Sequence, residues 1–156
     1  IGMSGVGKST IAKALSKALG RELVDTDHLI EQKVGKDIPT IFAEFGEEYF
    51  RELESEVLKE VGVLTGKVIA TGGGVVTREN NYFALKQNGL IFFIQRDLSK
   101  ASRKGRPLAT SLDVVKELFK KREPLYQAFA DYVVSNDDSL EDSVKEILSI
   151  YENFSN

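Results

Sequence analysis

The stretch IGMSGVGKST, residues 1–10, decides the fold expected for this 156-residue chain. Gly2, Gly7, Lys8 and Ser9 fit the spacing G-x-x-x-x-G-K-S, and the residues that follow have the apolar spacing of a helix. Glycines let backbone N–H groups turn toward phosphate oxygens, and the start of the helix adds partial positive charge. The stretch therefore predicts a loop that binds the phosphates of a nucleoside triphosphate.

The two strongest polar side chains of this loop have expected roles. Lys8 would contact the β and γ phosphates of the nucleotide, and the hydroxyl of Ser9 would bind Mg²⁺. The motif alone leaves kinase, GTPase and ATPase open as alternatives. The candidate nucleotide-binding residues of the loop are Gly2, Gly5, Val6, Gly7, Lys8, Ser9 and Thr10.

The composition is that of one globular domain spanning residues 1–156. Apolar residues make up 42% of the chain and charged residues 29%, and the net charge is −3. This charge offers no general attraction for nucleic acid or anionic membranes, and no apolar run approaches the roughly 20 residues of a membrane span. The absence of cysteine excludes disulfides and thiolate zinc sites and suits the reducing cytosol, so we expect a cytoplasmic protein.

Short strand-like runs alternate with longer helical patterns, which is typical of an α/β fold. A phosphate loop normally follows a central strand, so we expect apolar residues of a further strand to precede Ile1 in the natural protein. The predicted fold is a parallel five-stranded sheet with helices on both faces and a truncated first strand. The visible strand candidates are ELVD (22–25), KVIA (67–70), LIFFIQ (90–95) and YVV (132–134).

The helical patterns have recognisable start and stop signals. Gly20 should end the first helix, Gly46 should break the third, and Asp27 and Thr77 are candidate N-terminal caps. Asp97 should begin a short helix. The expected helices cover residues 8–19, 27–35, 39–64, 78–89, 139–151, and a segment from Ser111 or Asp113 to about residue 129.

Two aspartates follow the strand ELVD, at the strand end where ligands of open α/β sheets gather. A kinase for a small alcohol needs one carboxylate near the magnesium ion and another that accepts a hydrogen bond from the attacking hydroxyl. Asp25 fits the first task and Asp27 the second. The alternative that Asp27 only caps a helix remains open.

Glycines and arginines downstream indicate an anionic ligand. TGGGVV, residues 71–76, provides side-chain-free backbone against which a ligand could lie, although a flexible turn is the alternative. Arg51 and Arg122 have the planar fork that binds both oxygens of a carboxylate, and Glu54 could orient Arg51 from the same helix face. Each arginine alone could equally be a solvated surface residue.

An irregular loop, KGRPLATSL (104–112), has the composition of a mobile cover over ATP phosphates. Arg106 would stabilise the transferred phosphoryl group. By composition alone, the segment is merely a polar loop.

Taken together, these segments resemble the shikimate kinase family over nearly the whole chain. GMSGVGKST, LVDTDHLIEQ, FRELE, VIATGGGVV, GRPL and KREPLY occur here in the family's order. The resemblance implies a P-loop NTPase fold similar to nucleoside monophosphate kinases. It also implies transfer of the ATP γ-phosphate to the 3-hydroxyl of shikimate, on the pathway to chorismate and the aromatic amino acids.

The resemblance also implies a role for each matching residue. Asp27 would bind the substrate hydroxyls as base or orienting group, and Lys8 and Arg106 would act on the transferred phosphate. The implied carboxylate and ring contacts are Arg51, Arg122, the backbone at Gly73 and Gly74, and the rings of Phe42 and Phe50. Ser9 and Asp25 would support Mg²⁺, and Arg103 would stack on adenine. The lid would span about 103–112 and the substrate-binding helical region about 27–64.

Two other functions remain open at this point. One is another small-molecule kinase of the same fold, acting on gluconate or a nucleoside monophosphate. The other is a nucleotide-binding module without turnover. We expect a monomer, either free or as one domain of a longer multifunctional chain.

Overall fold

The computed structural model describes residues 1–101 and 111–156, in which helices and short strands alternate as predicted. The elements are α1 Lys8–Leu19, β1 Leu23–Asp25, α2 Thr26–Val34, α3 Ile38–Gly62, β2 Val68–Ala70, a 3-10 turn Val75–Thr77, α4 Glu79–Lys86, β3 Phe92–Gln95, α5 Leu112–Phe129, β4 Tyr132–Ser135 and α6 Leu140–Ser155. Within these described ranges, no helix has the length and apolar content that crossing a membrane requires.

The described strands form two parallel pairs rather than the one five-stranded sheet that the sequence predicts. β1 pairs with β2 and β3 pairs with β4, both in parallel. Ile1 lies beside β3, where its carbonyl accepts from the N–H of Ile94 and its amino group donates to the carbonyl of Phe92, both at 2.8 Å. Ile1 is not assigned to a strand, and the described strands belong to two separate two-stranded sheets.

Two apolar clusters support the elements around the strand ends. The larger one contains Phe93 and Tyr126, whose fully buried rings stack at 4.9 Å, together with Met3 and Val6 of the phosphate loop. The smaller cluster lies between α2, α3 and β1. Burying one large apolar side chain stabilises a fold by about 1.5–3 kcal/mol. The larger cluster therefore anchors the phosphate loop, and the smaller one anchors the helical region of α2 and α3.

The start of α2 differs from the prediction. Asp25, not Asp27, caps this helix, because the Oδ1 atom of Asp25 accepts the N–H groups of Asp27 at 3.0 Å and His28 at 3.3 Å. A cap must precede the helix with extended backbone, and Asp25 does so at the end of β1. The carboxylate of Asp27 is thereby left for another function.

Two further helix starts also differ from the sequence patterns. The hydroxyl of Thr77 donates to the carbonyl of Gly74 at 2.7 Å inside the 3-10 turn, and it does not cap α4. Asp97 begins a turn and not a helix: the N–H of Lys100 donates to the carbonyl of Asp97 at 2.9 Å, and residues 98–100 are a turn. Of the two candidates for α5, Ser111 is the cap.

The long helix α3 breaks where glycine was predicted to break it. Gly46 has φ 84° and ψ 172°, a backbone conformation that residues other than glycine rarely adopt. The break lies between Phe42 and Phe50, whose rings meet with centroids 4.8 Å apart. The two halves of α3 therefore bring one aromatic ring each into contact across the break at Gly46.

Candidate active site

Most of the predicted site residues line one cavity of about 480 Å³ at the carboxyl ends of the strands. Gly2 and Val6 lie behind its wall, where Val6 is 1% exposed and belongs to the core. Arg103, Arg106 and the lid segment up to residue 110 lie outside the described residues. The predicted residues that line the cavity are Gly5, Gly7, Lys8, Ser9, Thr10, Asp25, Asp27, Phe42, Phe50, Arg51, Gly73, Gly74 and Arg122.

The phosphate loop curls around the side chain of Lys8. The ammonium group of Lys8 donates to the carbonyls of Gly2 at 2.6 Å and Met3 at 2.8 Å. Gly5 and Gly7 have φ of 79° and 100°, so both positions require the freedom of glycine. A positive charge held inside this glycine-rich loop, at the start of α1, is well placed to bind phosphate oxygens.

Asn136 supports this loop from behind and was not found from the sequence. Its side-chain amide donates to the carbonyl of Val6 at 2.8 Å, and the hydroxyl of Ser143 donates to its Oδ1 atom at 2.8 Å. A Cβ atom on Gly7 would meet this amide at 2.5 Å. The position of Asn136, directly after the last strand, is the signal that could have identified it.

Ser9 and Asp25 form an oxygen pair suited to a divalent cation. The hydroxyl of Ser9 donates to the Oδ2 atom of Asp25 at 3.2 Å, while the other oxygen of Asp25 caps α2. Mg²⁺ prefers oxygen ligands and usually takes only one or two from protein, with phosphates and waters completing the set. Ser9 and Asp25 place two such oxygens beside the phosphate loop, and the described residues contain no group of three or more His, Cys, Asp or Glu that could hold a metal.

Asp27 turns a carboxylate into the cavity beside Glu54. The Oδ1 atom of Asp27 and the Oε2 atom of Glu54 are buried and have no hydrogen-bond partner among the described residues. A Cβ atom on Gly72 would lie 2.6 Å and 3.0 Å from these oxygens. Burial, followed by the charge of Glu54, raises the pKa of Asp27 to about 6, and Lys8 opposes the shift. Such a carboxylate can accept a proton near neutral pH.

Arg51 is buried at the base of the cavity and is held by Glu54. Its Nη1 atom donates to Glu54 Oε1 at 2.9 Å, and the two side chains are 8% and 0% exposed. The Nε atom of Arg51 has no partner within the described part of the chain. A Cβ atom on Gly74 would lie 2.2 Å from the guanidinium of Arg51. The three glycines after β2, residues 72–74, are called the glycine turn below. This turn brings its backbone directly against Arg51.

Arg122 enters the cavity from α5 with 7% exposure, and Tyr126 lies one helical turn later. The hydroxyl of Tyr126 donates to the carbonyl of Gly73 at 2.5 Å. Burial raises the pKa of Tyr126 to about 12, against the opposing charge of Arg122. Tyr126 had no predicted role from the sequence. The spacing of four residues from a candidate arginine on one helix could have identified it.

Arg96 was also missed, although it directly follows β3 and lines the same cavity. The site thus combines a phosphate-binding loop, a carboxylate able to take a proton, and two buried arginines that suit a carboxylate ligand. This arrangement fits phosphoryl transfer to a hydroxyl of a small anionic molecule.

The shikimate kinase family model matches residues 4–152 of this chain. A shikimate kinase from Clostridium botulinum is 41% identical over 157 residues, which cover 96% of this chain and 93% of the relative. The solved structure of shikimate kinase from Acinetobacter baumannii in complex with shikimate is 35% identical, with a TM-score of 0.91 over 97% of this chain and 90% of that one. A gluconokinase from Sinorhizobium meliloti, at 14% identity and a TM-score of 0.59 over 99% of this chain and 93% of its own, is similar in fold alone.

Proposed function

The chain belongs to the shikimate kinase family, and we propose which of its residues carry out each part of the reaction. The enzyme is an ATP-dependent kinase whose acceptor is a hydroxyl of shikimate, in aromatic amino acid biosynthesis, and its α/β fold is that of P-loop NTPases. The acceptor in the proposal is the 3-hydroxyl. The main support for the proposed roles is that one cavity contains the phosphate loop, Asp27 and two buried arginines.

The carboxylate of shikimate binds between Arg51 and Arg122 in this proposal. The two guanidinium groups are buried, and the Nε atom of Arg51 lacks a partner among the described residues, so an anion there would gain charge-assisted hydrogen bonds. The backbone at Gly73 and Gly74 lies alongside, and the rings of Phe42 and Phe50 flank the substrate ring. This end of the cavity fixes the orientation of the acceptor.

Asp27 then receives the proton of the attacking hydroxyl. The oxygen of the 3-hydroxyl bonds to the γ-phosphorus of ATP as the bond from that phosphorus to the β,γ-bridging oxygen breaks, and ADP leaves. The unpartnered Oδ1 atom of Asp27 supports this role, because a hydroxyl donor would satisfy it. Lys8 holds the β and γ phosphates, and Arg106 acts on the transferred group.

Ser9 and Asp25 are the proposed protein ligands of Mg²⁺, and their paired oxygens beside the phosphate loop support that choice. When bound with ATP, Mg²⁺ would neutralise charge on the phosphates. The backbone of the loop from Gly5 to Thr10 surrounds the phosphates, with Gly2 and Val6 shaping the loop from behind. Arg103 stacks on adenine.

The finer architecture is also a proposal. We infer that a fifth strand including Ile1 lies between β2 and β3, in one parallel sheet. An apolar groove of about 600 Å³ between these strands supports it, with walls that include Ile11, Leu15, Ile69 and Ile147. In the proposed organisation, residues 1–156 form one kinase domain with a lid over about 103–112 and a substrate-binding region over about 27–64.

We further propose that the enzyme acts as a monomer in the cytoplasm, where its donor ATP is made.

Release of ADP in the presence of different acceptors tests the proposed function. We expect ADP release to rise well above the basal rate with shikimate, and to stay at that rate with gluconate or a nucleoside monophosphate. Equal stimulation by gluconate would overturn the choice of acceptor. Tight ATP binding without ADP release on any acceptor would favour the nucleotide-binding module.

A further inference from the structure

Tyr126 connects three parts of the cavity from a position behind its wall. The ring is fully buried against Phe93, and the hydroxyl donates to the carbonyl of Gly73 at 2.5 Å. The same hydroxyl lies 3.5 Å from the sulfur of Met3 in the phosphate loop, and Arg122 interacts electrostatically with it from one turn earlier in α5. One hydroxyl thus touches the glycine turn, the phosphate loop and a substrate-binding arginine.

The hydrogen bond to Gly73 determines where the next peptide N–H group points. A trans peptide unit is planar, with its C=O and N–H groups on opposite sides. Because the carbonyl of Gly73 points to Tyr126 in the core, the N–H of Gly74 points away from the core, and Gly74 lines the cavity. No hydrogen bond among the described residues uses this N–H group, and Gly74 lies directly against the guanidinium of Arg51.

We propose that Tyr126 is a positioning residue for substrate binding: its hydroxyl aims the N–H of Gly74 at the substrate carboxylate and aligns Arg122 on the other side. The proposal rests on the carboxylate site formed by Arg51 and Arg122. An arginine fork and a backbone N–H then act together on one anion, a combination that binds anions strongly. Tyr126 itself does not touch substrate.

The hydroxyl keeps its proton over the whole working range of pH. Burial raises the pKa of Tyr126 to about 12, so the group stays a donor to Gly73 at physiological pH. The orientation of the Gly73–Gly74 peptide is therefore independent of pH under assay conditions, unlike the protonation of Asp27.

The test is Tyr126→Phe, which removes only the hydroxyl and keeps the ring that stacks on Phe93. Loss of one buried hydrogen bond predicts about a tenfold rise in the KM for shikimate. We expect the KM for ATP to stay within twofold of wild type and kcat to fall less than the shikimate KM rises. Tyr82→Phe is the matched control, because Tyr82 packs on Phe129 in the same core and none of the described residues bonds its hydroxyl. That control should leave both KM values unchanged.

A second variant keeps both ring and hydroxyl, so it tests the proposal even if Tyr126→Phe does not fold. Replacing Tyr126 by 3,5-difluorotyrosine lowers the pKa of the phenol, and ionisation removes its donor. The shikimate KM of this variant should rise with pH in a range where that of wild type is flat, while its ATP KM follows wild type.

The outcomes separate this inference from the proposed function. A wild-type enzyme that does not phosphorylate shikimate would overturn the proposed function. An active wild type, combined with an unchanged shikimate KM in Tyr126→Phe, would overturn only the role of Tyr126. A parallel loss of affinity for ATP and shikimate would show a merely structural hydroxyl and would also overturn it.

Discussion

Asp25 and Asp27 are only two residues apart, but the start of α2 places their carboxylates in different surroundings. One carboxylate oxygen of Asp25 accepts hydrogen bonds from the N–H groups at the start of α2, and the other accepts one from the hydroxyl of Ser9. Asp27 stands inside the first turn, where its carboxylate is free to face the cavity and Glu54. These different surroundings are consistent with the proposal that Asp25 supports Mg²⁺ and that Asp27 accepts the proton of the hydroxyl.

Asp27→Asn should abolish turnover and leave ATP binding intact. An amide oxygen can still accept a hydrogen bond, but it cannot take the proton of the attacking hydroxyl. ADP release should fall by about 10²-fold or more, the usual contribution of a general base. Calorimetric titration should give an ATP affinity close to wild type. Near-normal turnover would remove Asp27 from the chemistry.

The activity of the wild-type enzyme should decline on acidification through the pKa of Asp27. The folded-state pKa is about 6, above the ordinary 3.8, so the carboxyl becomes protonated below about pH 6 and can no longer accept a proton. We expect kcat/KM for shikimate to fall below this pH in assays from pH 5 to 8. A flat profile through pH 6 would contradict the raised pKa.

The same shift predicts that Asp27→Asn stabilises the protein above pH 6. Between pH 3.8 and 6 the folded chain holds a proton on Asp27 that the unfolded chain releases, so stability falls as pH rises through this range. Above it, the buried carboxylate costs about 1–3 kcal/mol, which the neutral amide avoids. Urea unfolding at pH 7.5 should show the gain, and at pH 3.5 the gain should vanish.

Arg51→Lys should raise the KM for shikimate about 10- to 100-fold, the effect of losing a forked, charge-assisted contact. A lysine ammonium is a point charge and cannot bind Glu54 and a substrate carboxylate as the planar fork does. The KM for ATP should not change. Arg78→Lys is the control, because Arg78 pairs with Glu48 at the surface. An unchanged shikimate KM in Arg51→Lys would place the carboxylate elsewhere.

At the scale of elements, the glycine turn after β2 needs glycine at position 74 because the side chain of Arg51 lies against the backbone there. Unusual backbone angles are not the reason. Gly74 has φ −91°, which any residue tolerates, yet a Cβ atom there would overlap the guanidinium of Arg51. Gly20 is the reverse case, with φ 62° at the end of α1 and open space around it. Glycine is therefore required at Gly74 for lack of space and at Gly20 for its positive φ.

Gly74→Ala and Gly20→Ala should consequently have opposite effects. Gly74→Ala displaces Arg51 and should raise the shikimate KM at least tenfold, with little change in the ATP KM. Gly20→Ala should cost about 1 kcal/mol of stability because of its positive φ, with both KM values unchanged. Steady-state kinetics and urea unfolding of both variants make the comparison. Equal kinetic effects in the two variants would contradict the proposed contact.

The junction of β4 and α6 supports the phosphate loop through a side-chain relay. Asn136→Ala removes the donor to the carbonyl of Val6 and should weaken ATP binding about tenfold, the effect of one buried hydrogen bond. Asn88→Ala is the control, since the amide of Asn88 donates to the carbonyl of Gly62 at 3.1 Å, away from the cavity. Titration with ATP should separate the two variants. Equal ATP affinity would leave Asn136 with a purely structural role.

At the scale of the whole molecule, the groove between β2 and β3 should accept one more strand. Fusing Val-Val-Leu-Val ahead of Ile1 should raise the melting temperature, because burying apolar side chains contributes about 1.5–3 kcal/mol each. A Gly-Ser-Gly-Ser fusion of equal length is the control and should not stabilise the protein. If both fusions melt alike, the proposed five-stranded sheet loses its support.

Local patterns predicted the features that depend on neighbouring residues. Gly20, Gly46 and Ser111 end, break and start helices as expected, because these signals act within one helical turn. The contacts that were missed join distant segments. Tyr126 reaches Gly73 across 53 positions, and Asn136 reaches Val6 across 130. No periodicity encodes such pairs, since they depend on how the elements pack.

The cap of α2 shows a limit of the same kind. Asp25 and Asp27 both suit a helix start by residue type, and only the end of β1 decides between them. The site residues were accessible to sequence analysis mainly because their order resembles a known family. Burial of Arg51 and Arg122 contradicts the surface alternative that the sequence left open.

The order of polar groups along the glycine turn has a consequence for regioselectivity. Unpartnered carboxylate oxygens flank Gly72, and a guanidinium lies against Gly74, so the polarity of the wall reverses within two residues. A ligand with an anion at one end and hydroxyls at the other is attracted in one orientation and repelled when turned round. This wall therefore favours one of the two orientations of such a ligand. In the proposed reaction, this preference would turn the hydroxyl end of shikimate toward Asp27 and its carboxylate toward Arg51 before phosphoryl transfer begins.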